Sequence, residues 1–107
     1  MQYIDKILED AQTGATLSYH EIININLDLI NKVTNVTFAC YVSVDTKKAN
    51  KSAVTQIGIS IPDQFPESTD NICEWILNTL VSPVGEDIVD PYRKVFIGGT
   101  VKKIEIN

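Results

Sequence analysis

Between Ala15 and Val44 the chain alternates apolar and polar residues with a period of two, and nothing else in it restricts the fold so tightly. Leu17, Tyr19, Ile23, Ile25, Leu27 and Leu29 occupy odd positions, while Thr16, Ser18, His20, Asn24, Asn26 and Asp28 occupy even ones. A period of two belongs to a strand with one buried face, so the pattern predicts a strand over 15–29. At roughly 3.3 Å per residue such a strand reaches about 50 Å, more than the width of a domain of this size. It must bend, bulge or run beyond the core. A turn at Asn31-Lys32, or over the slightly longer 30–35, comes next. Val36, Phe38, Cys40, Val42 and Val44 then alternate with Thr37, Ala39, Tyr41, Ser43 and Asp45, predicting a second strand antiparallel to the first. Ile57, Ile59 and Ile61 mark a third, which Pro62 ends because proline donates no ladder hydrogen bond. Isoleucine and valine together number 25, in keeping with a chain built mainly of strands.

The flanking segments are less uniform. Ile4, Ile7, Leu8 and Ala11 have helical spacing, yet Asp10-Ala11-Gln12-Thr13-Gly14 is a good five-residue turn, with Asp to open it and Gly to take positive φ. The strand after it favours the second reading, a hairpin joining 3–9 to that strand. Pro66 and the capping side chains of Ser68, Thr69, Asp70 and Asn71 open a helix predicted over 69–81, which stops before Pro83. Ile72, Cys73, Ile76, Leu77 and Leu80 form its apolar stripe, with Trp75 at the margin, and a stripe of that kind covers a sheet. Residues 82–91 read as a loop, and 93–106 as strand broken by Gly98-Gly99, which make either a two-residue hairpin turn or a bulge. The expected fold is α+β: one domain over 1–107, a largely antiparallel β-sheet with one α-helix packed on it.

Charge and composition narrow the function. With 107 residues and a net charge of -5, the chain lacks the clustered Lys and Arg that nucleic acid or an anionic membrane surface requires. No stretch approaches the roughly 18 apolar residues of a membrane span. Asp5, Glu9 and Asp10 stand where a signal peptide carries basic and then apolar residues, so the expected compartment is a reducing cytoplasm, with Cys40 and Cys73 as buried thiols. Asn35-Val36-Thr37 and Asn50-Lys51-Ser52 then carry no meaning as glycosylation triplets. One histidine and two cysteines cannot assemble the usual metal constellations, and no cofactor is expected. Glu86, Asp87 and Asp90 lack the spacing of a calcium loop and read as a solvated acidic loop. Lys47, Lys48 and Lys51 read as a solvated hairpin end. Gly98-Gly99 lacks the Gly-Lys-Ser/Thr ending and the helix of a phosphate loop. His20 shares its strand face with Ser18, but neither a nucleophile elbow nor a glycine-rich oxyanion turn accompanies them. His20 therefore reads as a surface or interface residue, and the expectation is a non-enzymatic protein with no catalytic residue.

The run Thr13-Gly14-Ala15-Thr16-Leu17-Ser18-Tyr19-His20-Glu21-Ile22, with Phe38-Ala39-Cys40-Tyr41-Val42-Ser43 after it, resembles small uncharacterised phage and prophage proteins encoded among tail and tail-fibre genes. The likeness covers about the first half of the chain; the acidic loop at 86–90 and Gly98-Gly99 have no counterpart in it. It implies a structural role in a phage tail, tail tip, baseplate or fibre-attachment region, with assembly in the host cytoplasm and a final place in the virion. The alternative is a binding module or tail-assembly chaperone not retained in the particle. Other tail proteins and further copies of the chain are the expected partners, met through exposed edge strands and through Tyr19, His20 and Tyr92.

Overall fold

The computed structural model describes residues 2–62, 71–85 and 92–103. Five strands form one antiparallel sheet: β1 (Gln2–Glu9), β2 (Thr16–Asp28), β3 (Val33–Tyr41), β4 (Thr55–Pro62) and β5 (Thr100–Lys103), in the spatial order β4-β3-β2-β1-β5. Two helices, α1 (Val44–Lys48) and α2 (Ile72–Val81), and a 3₁₀ turn over Tyr92–Lys94 complete the described elements. The class is α+β and mostly sheet.

The opening segment is strand. Asp10 and Gly14 close the β1–β2 turn, with the Gly14 amide donating to the Asp10 carbonyl and Gly14 at φ +72. The Asp10 carboxylate also accepts from the amide and the hydroxyl of Thr13. At the other end of β2, Asp28 fixes the β2–β3 turn by accepting from the amides of Ile30 and Asn31 and from the Asn31 side chain.

Strand β2 bulges rather than running straight. Ile22 faces Phe38 and Asn24 faces Thr37, so Ile23 is an extra residue without a partner. A one-residue slip exchanges the faces of every side chain beyond it. Before the bulge the even residues His20 and Ile22 stand opposite Cys40 and Phe38; after it the odd residue Ile25 stands opposite Val36. Cys40, Phe38 and Val36 all belong to the core, so the core face of β2 changes parity at Ile23. A second irregularity lies in β1 between Asp5 and Leu8.

Helix α2 and residues 93–97 cover one face of this sheet. Ile76, Leu77, Leu80 and Phe96 meet Ile4, Phe38, Ile59 and Ile61 there. Asn71 caps α2, accepting from the Glu74 amide, and Ser82 ends the helix before Pro83. The expected start at 66–70 lies outside the described residues.

Four expectations are corrected. β3 ends at Tyr41, and the segment read as strand end and lysine loop holds α1, because Ser43 accepts from the Thr46 amide as an N-cap and Asp45 and Lys47-Lys48 sit at matching ends. Residues 93–97 are not strand: they form the 3₁₀ turn and a further turn that delivers Phe96 to the core. Gly98 and Gly99 therefore make neither a hairpin turn nor a bulge in one strand, but release the chain into β5, Gly98 at φ +86. Cys40 is buried as expected, but Cys73 is exposed in the first turn of α2.

Candidate functional site

The two faces of β2 carry two different polar clusters. On the face away from α2, the Tyr3 and Tyr19 rings stack at 4.4 Å and Tyr41 meets Tyr19 edge-on at 5.5 Å. Glu21, only 3% exposed, lies beside them. Its Oε1 accepts from Lys47 Nζ at 2.6 Å and its Oε2 from the Tyr19 hydroxyl at 2.8 Å. Lys47 arrives from α1 and also lies 5.0 Å from the centre of the Tyr41 ring. Burial, then the hydrogen bond to Glu21, hold the Tyr19 phenol far above its ordinary value, while the bond to Glu21 raises Lys47. The cluster is saturated, and what it does is clasp α1 to the sheet.

His20 points into the opposite face. It is fully buried, its ring tilted against Phe96 at 4.9 Å, and its Nε2 lies 2.8 Å from the Lys6 carbonyl. A carbonyl only accepts, so Nε2 carries the proton and Nδ1, which has no hydrogen-bond partner among the described residues, is the bare nitrogen of a neutral ring. Burial holds the imidazole below its ordinary value. Nearby, Lys6 Nζ donates to the carbonyls of Val95 and Ile97 at 2.7 and 2.8 Å, tying β1 to the segment that carries Phe96.

These positions correct two of the three expected contact residues. Tyr19 and His20 are both wholly buried, one in each cluster, because side chains at adjacent strand positions enter opposite faces and here both faces are covered. Tyr92 opens the 3₁₀ turn, and its side chain lies outside the described residues. Ser18 does not serve His20: its hydroxyl donates to the Val42 carbonyl. Burial pushes the Cys40 thiol up to about 12, so it stays protonated. Cys73 borders an open groove of about 450 Å³, lined also by Gln2, Ile22, Leu77 and Lys103. Among the described residues no three His, Cys, Asp or Glu side chains gather as a metal site requires, and no helix is long and apolar enough to cross a membrane. Glu86, Asp87 and Asp90 lie outside the described residues.

The surface offers two further features. The outer side of β4 has no strand partner among the described residues. Pro62, at its end, pairs with Val33, which places that edge beside the β2–β3 turn, where Leu29 is 73% and Ile30 91% exposed. Arg93 stands apart from both. It is 5% exposed, with Nη1 buried and without a hydrogen-bond partner among the described residues, and the turn that carries it packs against β4. Burial alone lowers its guanidinium from the ordinary value.

Sequence reasoning missed Glu21, Lys47 and Arg93. Glu21 had a signal: it is the one charged residue in the odd series from Leu17 to Leu29. Arg93 had none. Comparison with family models, curated proteins and solved structures finds no match to this chain.

Proposed function

We propose that the chain is a structural, non-enzymatic component of a phage tail, tail tip, baseplate or fibre-attachment region that works by protein–protein assembly. The observation that carries the assembly reading is the outer edge of β4, eight residues long and continuous at Pro62 with the turn bearing Leu29 and Ile30. Unpaired strand edges template the addition of a further strand, and natural proteins blunt them with charge, brevity or cover. Thr55–Pro62 contains no charged residue, and exposed aliphatic side chains at one end extend the contact it offers. The tail is the setting supported by the likeness of residues 13–22 and 38–43 to phage proteins.

Light scattering of the purified chain, alone and mixed with the proteins encoded beside it, tests the assembly reading. The expected result is a mass above the monomer in at least one mixture. A chain that stays monomeric with all of them overturns it. Mass spectrometry of purified particles tests the setting: stoichiometric copies are expected, and a chain needed for assembly but lost from the finished particle is a chaperone instead.

A further inference from the structure

Arg93 is an anomaly that the fold does not resolve. A guanidinium carries five donors, stays charged at any pH a protein tolerates, and is normally buried only against a carboxylate or phosphate. Here it is 5% exposed, and no hydrogen bond or ion pair engages it among the described residues. Its neighbour Lys94 is exposed, adding a second positive charge beside it, and their turn packs against β4, an edge strand whose outer side has no strand partner among the described residues.

From this juxtaposition we infer that Arg93 anchors a carboxylate carried by an extended acidic segment of a partner that adds to the outer edge of β4. The identity of that partner as a protein rests on the assembly reading above. A second copy of β4 does not meet the requirement: Thr55–Pro62 holds neither Asp nor Glu, so pairing β4 with β4 leaves both guanidinia without an anion. A carboxylate on a strand does, because alternate side chains of an added strand turn toward the covering layer, and the planar fork of Arg donates two parallel bonds to a carboxylate. The buried cation then acts as a specificity device. It weakens the free chain and rewards the acidic partner over a neutral one.

Arg93→Met in the isolated full chain is the first measurement. Removing an unpaired buried charge for an apolar side chain of similar length raises the melting temperature, by about 4 °C or more. Binding is the second, with alternating valine–threonine peptides that carry one glutamate or one glutamine as the probe. The wild-type chain binds the glutamate peptide about 10-fold or more tighter than the glutamine peptide, and Arg93→Met brings that ratio to one. Arg93→Lys, which keeps the charge and loses the fork, gives an intermediate ratio. An unchanged or lowered melting temperature in Arg93→Met overturns the inference, since the guanidinium then has a partner within the chain. Loss of stability in Glu86→Gln, Asp87→Asn or Asp90→Asn that disappears in the Arg93→Met background identifies that partner. Equal binding of the two peptides, or binding of neither, overturns it as well. A chain that passes both measurements yet stays monomeric with the tail proteins sinks the assembly reading and leaves the carboxylate anchor standing.

Discussion

Glu21 and His20 are adjacent in sequence and buried on opposite faces of one strand, and they respond to mutation by different physics. Glu21 is a buried carboxylate whose charge is matched by Lys47 and whose second oxygen is held by Tyr19. Lys47→Met leaves that carboxylate buried without its cation, and the expected cost is about 1–3 kcal/mol in urea unfolding. Glu21→Gln keeps a hydrogen-bonding shape without the charge and is expected to cost less than Lys47→Met. The reverse order would place the energy of the clasp in the charge of Glu21 rather than in its match. His20 senses pH. Burial holds the ring neutral and its value below the ordinary 6.5, and protonation would add a second N–H, at Nδ1, which meets no acceptor among the described residues. The unfolded chain therefore binds the extra proton first as pH falls. The stability that His20 contributes is complete above about 6.5 and is lost as pH falls from there toward the depressed folded value. Urea midpoints measured from pH 7.5 down to about 5 are expected to fall, and His20→Gln, which does not titrate, is expected to flatten that slope. A slope that survives in His20→Gln belongs to other groups.

At the level of elements, the sheet was legible in the sequence because its determinants are local. Alternation, turn residues and the proline at 62 act within a few positions, and β1 to β4 obey them closely. The faces of β2 were not legible. The pattern of odd apolar residues is real on both sides of Ile23, but the bulge exchanges which parity meets the helix, and a bulge is fixed by pairing with β3 rather than by β2 itself. That single residue is why His20, on the polar side of the alternation, ends in the core. The segment before β5 failed for a related reason: Val95, Phe96 and Ile97 have strand composition, yet long-range partners decide their path. Lys6 caps the turn from β1, and Phe96 packs on Phe38 and His20. Phe96→Ala is accordingly expected to cost about 3–5 kcal/mol. The two glycines after it are constrained differently. At Gly98 a Cβ meets open space but φ is +86, so Gly98→Ala costs about 1 kcal/mol through the backbone. At Gly99 a Cβ falls 2.9 Å from Ile4 Cγ2 and 3.1 Å from the Phe96 carbonyl oxygen. Gly99→Ala must displace a fully buried side chain and is expected to cost about 1–3 kcal/mol. Thermal unfolding of the two variants separates the cases, and an equal, small loss in both would mean that Ile4 yields.

For the molecule as a whole, β2 and β3 set the long dimension. Thirteen residues of β2 run along a body 39 × 31 × 21 Å in extent, and their turn leaves Leu29 and Ile30 at its end. Exposure of that degree contributes little to the stability of the free chain, because neither side chain gives up its water on folding. It counts only when another surface covers it. The net charge of -5 opposes the approach of like copies, and a surface that covers this apolar tip must overcome or complement that charge. Leu29→Lys combined with Ile30→Lys therefore separates folding from assembly. Both side chains flank a turn held by Asp28 through backbone amides and Asn31, contacts that the substitutions leave in place. The melting temperature of the double variant is expected to match that of the original chain within the small range of surface substitutions. Its affinity for the partner found by light scattering is expected to fall about 100-fold or more, since each side chain buried at an interface is worth about 1.5–3 kcal/mol. Unchanged affinity with unchanged stability would locate the contact wholly on the strand edge at β4. In that case lysine at Gln56 or Ser60, both exposed on that strand, becomes the substitution that tests how the partner approaches.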